Sequence, residues 1–131
     1  MPTRPLSPHL SVYRMSRYTL ATSIANRFTG VALSLGLPLL VYWLMAVAGG
    51  PRSYAIAMRV LTTPLAQLVY AALVVAFCYH LVAGLRHLVW DTGQALERAQ
   101  SQRSAWVVIA VTVVLVLLMV YGLWFAGRHA L

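Results

Sequence analysis

The chain has 131 residues, of which 61% are hydrophobic and 9% are charged. A water-soluble domain of this size needs more polar residues to cover its surface, so the composition predicts one transmembrane domain over residues 1–131. The formal net charge of +8 comes from ten arginines against two acidic residues. The arginines lie at the edges of apolar segments rather than in a dense run with interleaved aromatics, which argues against nucleic acid as a partner.

Three apolar stretches are long enough to cross a bilayer, whose hydrocarbon core of roughly 30 Å requires about 20 apolar residues in a helix. The first follows an N-terminal arm, residues 1–18, and covers about residues 19–48. The second covers about residues 61–90 and the third about residues 105–126. Because backbone groups cannot stay unpaired in lipid, each stretch is predicted to be helical. The predicted fold is an all-α membrane protein with three transmembrane helices.

The ends of these helices predict loops and an orientation. Gly49, Gly50 and Pro51 are predicted to end the first helix in a loop. Arginines are more frequent before the first helix and between the second and third than on the opposite side: Arg4, Arg14, Arg17, Arg27, Arg86, Arg98 and Arg103 against Arg52, Arg59 and Arg128. The positive-inside rule then places the N-terminus in the cytoplasm. No signal peptide is predicted, because the first apolar run is too long and lacks a small-residue cleavage pattern.

A polar stripe lies near the cytoplasmic end of the second helix and consists of His80, Gly84, His87 and Asp91. At about 100° per residue, the last three lie within about 40° of His80 around the helix axis. His80 is about 16 Å from the helix end, and an ionisable side chain at that depth usually faces the protein interior and marks a site. A neutral imidazole can ligate haem iron, and Gly84 would leave room for a flat macrocycle. Arg86 and His87 are candidates for contacts to the haem propionates.

A second polar group opens the first helix. Ser23, Arg27 and Gly30 are spaced at i, i+4 and i+7 and share one face. An arginine at the hydrocarbon edge beside a hydroxyl suits an acceptor oxygen, such as a quinone carbonyl or a carboxylate. Both groups have plainer interpretations on spacing alone. Arg27 could be an anchoring arginine that reaches the interface, and His80 could be bonded to a neighbouring helix while glycine serves close packing.

Three motifs give the chain a family resemblance. They are the N-terminal RPLSPHLSVY over residues 4–13, SIANRFTG over residues 23–30, and HLVAGLRHLVWD over residues 80–91. They resemble, in order, the RPLSPHL-x-x-Y, S-I-x-H-R-x-T-G and H-x-x-x-G-x-R-H-x-x-x-D signatures of the cytochrome b subunits of succinate dehydrogenase. These subunits are the larger of the two membrane anchors of respiratory complex II. The resemblance covers the whole chain, including its length and its three helices.

The resemblance implies a subunit that forms a bundle with a second membrane-anchor subunit and holds one haem b between them. It implies that His80 is one axial ligand of the haem iron and that the other comes from the partner. Ser23 and Arg27 correspond to the quinone-binding serine and arginine of the family. By the same resemblance they would lie near the iron–sulfur subunit, which docks with the flavoprotein subunit on the cytoplasmic or matrix face. The implied location is a bacterial inner membrane.

The chain departs from the family pattern at one position. Asn26 stands where the family usually has histidine, beside the quinone-binding arginine. Asparagine can donate a hydrogen bond but cannot carry charge, so propionate contacts and any proton transfer from this helix are in doubt. The departure leaves the axial ligand unaffected.

The implied function is the passage of electrons from succinate, through iron–sulfur clusters of another subunit, to a quinone. With one cysteine and no flavin fingerprint, the chain is not expected to oxidise succinate itself. One alternative is a structural membrane anchor of another respiratory complex, in which His80 only packs. Another is a small transporter or channel. The spans lack acidic residues that could couple protons or cations, since Asp91 and Glu97 lie at or beyond the end of the second helix.

Overall fold

The structure is a computed structural model that describes the backbone of residues 17–129 and the side chains of residues 19–125. Within that part, the chain forms four helices: α1 (Arg17–Ala48), α2 (Gly50–Leu61), α3 (Pro64–Asp91) and α4 (Arg98–His129). Three of them are long and apolar enough to cross a membrane, over Thr19–Ala48, Pro64–Asp91 and Arg98–Phe125. The predicted all-α fold with three transmembrane helices is therefore confirmed. The predicted N-terminal arm lies outside the described side chains.

The segment between the first two spans is a helix, α2, and not the predicted loop. Gly50 has a φ of +84°, a left-handed conformation that favours glycine, and it turns the chain between α1 and α2. Pro51 occupies the first turn of α2, where its missing N–H costs no hydrogen bond. Ala57 and Leu61 are buried against Ala46 of α1, whereas both arginines of α2 are exposed. The Gly-Gly-Pro sequence therefore separates two helices instead of a helix and a loop.

The other two spans begin at different residues from those predicted. α3 begins at Pro64, and the Thr63 hydroxyl accepts a hydrogen bond from the Ala66 N–H at 3.4 Å, which caps the helix. α4 begins at Arg98 rather than near residue 105. The extra turns of α4 are polar and bring Ser101 and Ser104 beside α3. The apolar pattern alone located the membrane-crossing part of α4 but not this polar beginning.

Small side chains form most of the interior of the bundle, in which α3 packs against both α1 and α4. The buried apolar residues are Ala46, Ala57, Leu61, Ala76, Cys78, Val82, Ala83, Ala105 and Val108. Small residues let helices approach closely in a membrane, where lipid is as apolar as the helices themselves. Large side chains such as Phe28 and Leu35 point outward and are 71% and 72% exposed. The outward faces therefore remain available to lipid or to another subunit.

Candidate functional site

His80 of α3 is oriented by the backbone of α1. Its Nδ1 lies 3.1 Å from the main-chain carbonyl oxygen of Asn26 and 3.3 Å from Oγ1 of Thr29. The Thr29 hydroxyl lies within donating distance of the carbonyl oxygens of Ala25 and Asn26, at 2.9 and 3.0 Å. Because a carbonyl oxygen only accepts, Nδ1 of His80 carries the hydrogen in the bond to Asn26. This arrangement selects the tautomer in which Nε2 keeps its lone pair.

Gly30 lets the imidazole ring of His80 approach α1. A Cβ atom at Gly30 would lie 3.0 Å from Cε1 of His80 and 3.5 Å from Nδ1. Contacts of 3.0 Å are tighter than almost all Cβ contacts in proteins, so any larger residue would push the ring away. Gly30 of α1 thus makes room for the ring of His80 on α3.

The predicted stripe on α3 presents a second imidazole and an open space. A Cβ atom at Gly84 would meet no described atom within 4 Å. One turn further on, the half-buried His87 donates from Nδ1 to the Ala83 carbonyl at 2.7 Å, and its ring packs edge-on against Trp90 at 5.2 Å. Asp91 ends the helix and is exposed. His80, Gly84 and His87 therefore lie on one face of α3, with both histidines bonded through Nδ1 to helix carbonyls.

Arg86 points away from this stripe and into the bundle, where it is only 8% exposed. Its Nε donates to Ser104 Oγ at 2.8 Å, and Nη2 donates to the carbonyl oxygen of Ser101 at 2.7 Å and to Oγ of the same residue at 3.3 Å. Its Nη1 donates to Oγ1 of Thr22 on α1 at 3.1 Å, and Cζ lies 4.0 Å from the centre of the Trp90 ring. The guanidinium thus joins α1, α3 and α4. The propionate contact from Arg86 stays a prediction, whereas these contacts within the chain are seen directly.

Tyr79 contacts the same residue of α1 as Arg86 does. Its hydroxyl donates to the main-chain carbonyl oxygen of Thr22 at 2.8 Å. Tyr79 and Arg86 are seven residues apart and therefore share one face of α3. Thr22, which is 6% exposed, is held at its side chain by one of them and at its backbone by the other.

The two residues predicted to bind quinone lie on a different face of α1. Ser23 is half-buried and Arg27 is exposed. Arg27 lies beside the exposed side chains of Ile24, Phe28 and Val31, which form a mostly apolar strip along one side of α1 that does not include Ser23. Since each residue of a helix is rotated by about 100° from the one before, Ser23 and Arg27 lie about 100° around α1 from Thr22 and Asn26. Thus one short segment of α1 contacts α3 on one side and presents the predicted quinone-binding pair on another.

Asn26 is the position that departs from the family pattern, and its side-chain oxygen and main-chain carbonyl have different surroundings. Its Oδ1 is buried and has no hydrogen-bond partner among the described residues. An amide oxygen accepts and does not donate, so in this orientation it would pair with a donor and not with a carboxylate. The main-chain carbonyl of Asn26, by contrast, is bonded to His80.

The sequence interpretation missed Thr22, Thr29 and Tyr79. One signal could have found the two threonines, because Thr22, Asn26 and Thr29 are spaced at i, i+4 and i+7 and form a polar line on α1. That line is the contact surface for His80, Tyr79 and Arg86. A polar line within a membrane helix is expected to face another helix, which is the arrangement seen.

The chain is similar in sequence to membrane subunits of succinate dehydrogenase. A family model described as succinate dehydrogenase/fumarate reductase transmembrane subunit matches residues 1–119. The succinate dehydrogenase cytochrome b556 subunit of Paracoccus denitrificans is 44% identical over 115 residues, which are 88% of this chain and 88% of that protein. The cytochrome b556 subunit of Rickettsia typhi is 32% identical over 116 residues, which are 88% of this chain and 90% of that protein. The human mitochondrial cytochrome b560 subunit is 39% identical over 112 residues, which are 84% of this chain and 66% of that protein.

Proposed function

The chain belongs to the succinate dehydrogenase/fumarate reductase transmembrane subunit family, and we propose that it is a membrane-anchor subunit of succinate dehydrogenase, respiratory complex II. In this function it holds haem b together with a second anchor subunit and helps to form the site where quinone is reduced. The observation that carries the proposal is the hydrogen bond from Nδ1 of His80 to the Asn26 carbonyl. Metal-ligating histidines commonly donate their other ring N–H to a carbonyl, which orients the ring and raises its basicity.

The residues on the His80 face of α3 fit a haem group. His80 would hold haem iron through Nε2, and Gly84, which has no side chain, would leave room for a flat macrocycle beside the helix. His87 lies further along the same face, where a propionate could meet it, but with Nδ1 donating to the Ala83 carbonyl only a ring that also carries a hydrogen on Nε2 could donate to a propionate. When bound, haem b supplies a one-electron carrier whose potential depends on its axial ligands and surroundings. As the family resemblance implies, the partner anchor would supply the other ligand to the iron.

Ser23 and Arg27 bind the quinone at the cytoplasmic end of α1. The Arg27 guanidinium is always protonated and donates to one quinone carbonyl, where it stabilises the negative charge that develops on reduction. The Ser23 hydroxyl forms a hydrogen bond with the other carbonyl oxygen. The apolar lining by Ile24, Phe28 and Val31 suits the ring and tail of a lipid-soluble quinone. Electrons reach this site from succinate through the flavoprotein subunit and then the iron–sulfur subunit.

The chain supplies binding groups and leaves succinate oxidation to those soluble subunits. Its single cysteine cannot provide the four thiolates of an iron–sulfur cluster. The proposed location is a bacterial inner membrane, with the N-terminus and the loop between α3 and α4 in the cytoplasm. The arginine distribution supports this orientation. A reporter enzyme that works only in the periplasm should be active when it is fused after Leu131. If instead only a reporter that works in the cytoplasm is active at this position, the orientation is the reverse.

The alternative is an anchor of another respiratory complex in which His80 only packs. The bonds from His80 to α1 are consistent with such packing. The open space at Gly84 does not separate the two functions, because a Cβ at Gly122 also meets no described atom within 4 Å. We favour haem binding because the relative that is 44% identical over 88% of this chain is a cytochrome b556 subunit.

The quinone-binding function can be tested in the complete complex with Arg27→Ala and Ser23→Ala. Loss of a charge-assisted hydrogen bond should lower succinate:quinone activity in Arg27→Ala by about 10- to 100-fold. Electron transfer from succinate to a water-soluble artificial acceptor should stay unchanged. Arg59→Ala, at an exposed arginine of α2, is the matched control and should behave like the wild type. Full quinone activity in Arg27→Ala would end the assignment.

A further inference from the structure

We propose that Tyr79 and Arg86 are positioning residues for the quinone site, because together they hold Thr22 and so set the rotation of α1 about its axis. This inference rests on the proposed function of Ser23 and Arg27. Neither Tyr79 nor Arg86 contacts the face of α1 that bears those two residues. Their effect on the site is transmitted through Thr22.

Two hydrogen bonds join Thr22 to α3, in addition to the bond that its own hydroxyl donates to the Thr19 carbonyl of α1 at 3.1 Å. The Tyr79 hydroxyl donates to the Thr22 carbonyl at 2.8 Å, and Arg86 Nη1 donates to Thr22 Oγ1 at 3.1 Å. Thr22 and Arg86 are 6% and 8% exposed, so water does not compete for these groups. One bond fixes the backbone of α1 at this turn, and the other fixes the direction in which a side chain leaves it.

Arg86 is a rigid donor because α4 and Trp90 of its own helix hold it. Ser104 and Ser101 of α4 accept from its Nε and Nη2, and the Trp90 ring lies 4.0 Å from Cζ. A guanidinium presents its donors in a planar fork, so the bonds from Nε and Nη2 to α4 determine where Nη1 points. The position of Thr22 is thereby tied to α4 as well as to α3.

The rotation of α1 matters because Ser23 directly follows Thr22, and Arg27 lies one turn further along the same face as Ser23. Groups at the surface of a helix lie about 5 Å from its axis, so a rotation of about 20° moves them by about 2 Å. Binding groups have to be held within about 0.5 Å of their productive positions. If α1 were free to rotate slightly about its axis, quinone binding would therefore weaken even though Ser23 and Arg27 themselves are unchanged.

The experiment uses Tyr79→Phe and Thr22→Val, which each remove one hydrogen-bonding group while keeping the size and shape of the side chain. In the complete complex we expect the KM for quinone to rise about three- to tenfold, as for the loss of one buried hydrogen bond. The kcat at saturating quinone, the rate with a water-soluble artificial acceptor and the haem absorption spectrum should stay at wild-type values. Tyr70→Phe is the matched control, since Tyr70 is a half-buried tyrosine of α3 that packs near Ala46 and Leu61.

Two outcomes would overturn the inference and are distinguishable from failure of the proposed function. If Arg27→Ala impairs quinone reduction while Tyr79→Phe and Thr22→Val leave the KM unchanged, the positioning function is wrong and the quinone site stands. If the two variants lower quinone and artificial-acceptor rates equally, their contribution is to assembly of the complex and not to positioning. If Arg27→Ala itself has no effect, the proposed quinone site fails and the inference fails with it.

Discussion

Nδ1 of His80 lies 3.1 Å from the main-chain carbonyl oxygen of Asn26, so a backbone group of α1 orients the imidazole of α3. The side chain at position 26 takes no part in this bond. That distinction matters because position 26 is where the chain departs from the family pattern. Orientation of the proposed haem ligand is therefore independent of the departure.

Asn26→Ala should consequently keep the haem. The carbonyl that holds His80 remains, and the buried Oδ1, which has no partner among the described residues, is removed. Removal of an unsatisfied buried polar atom is neutral or stabilising. We expect an unchanged absorption spectrum of the reduced complex and an unchanged haem-to-protein ratio. Loss of the haem band would show that the amide itself contacts the cofactor or a partner.

Gly30→Ala should disturb the same ligand through contact. The new Cβ would lie 3.0 Å from Cε1 of His80, and the ring would have to move by a few tenths of an ångström. Overpacking of this kind costs about 1–3 kcal/mol. We expect a lower thermal midpoint and a shifted haem band. Gly122→Ala is the matched control, since a Cβ there meets no described atom within 4 Å, and a spectrum identical in both variants would contradict the packing of His80 against Gly30.

Gly84→Ala separates a cofactor from simple helix packing. Within the chain, a Cβ at Gly84 also meets no described atom within 4 Å, so the substitution should be neutral or favour the helix by about 1 kcal/mol. If a flat macrocycle lies beside Gly84, the same methyl group collides with it. We expect a haem content clearly below that of the Gly122→Ala complex, with all subunits retained. Equal haem contents in the two complexes would place the cofactor elsewhere.

Ser104→Ala tests the polar network that joins the three spans. It removes the acceptor of Arg86 Nε and leaves part of a buried guanidinium unpaired, which costs about 1–3 kcal/mol. Calorimetry of the purified complex should show a lower midpoint of thermal unfolding. Ser34→Ala removes an exposed hydroxyl that bonds the Gly30 carbonyl of its own helix, and it should stay within about 0.5 kcal/mol of the wild type. Equal midpoints in the two variants would mean that the network adds no stability.

The sequence predicted the three spans because length and apolar composition are sufficient for a helix that crosses lipid. It did not predict α2, because the Gly49-Gly50-Pro51 sequence ends one helix and also begins another. The polar first turns of α4 were missed for a related reason. Their serines are stabilised by Arg86 of α3, a contact between helices that no local pattern contains.

The candidate site was predictable to the level of a helix face. The period of the helix placed His80, Gly84 and His87 together, and the structure agrees. Arg86 was grouped with His87 because the two are adjacent, yet adjacent residues of a helix point about 100° apart. In the structure, the Arg86 guanidinium instead donates a hydrogen bond to Thr22 in the interior of the bundle. The pairing of His80 with the backbone of Asn26 depends on how α1 and α3 pack, which a single helix cannot show.

If Nε2 of His80 ligates haem iron, the absorption spectrum of the reduced complex should change when His80 is replaced by glycine in His80→Gly. We predict loss or displacement of the b-type band, with all subunits still assembled, and partial recovery when free imidazole is added. His87→Gln, on the same face of α3, should keep the band. An unchanged band in the assembled His80→Gly complex would contradict the claim.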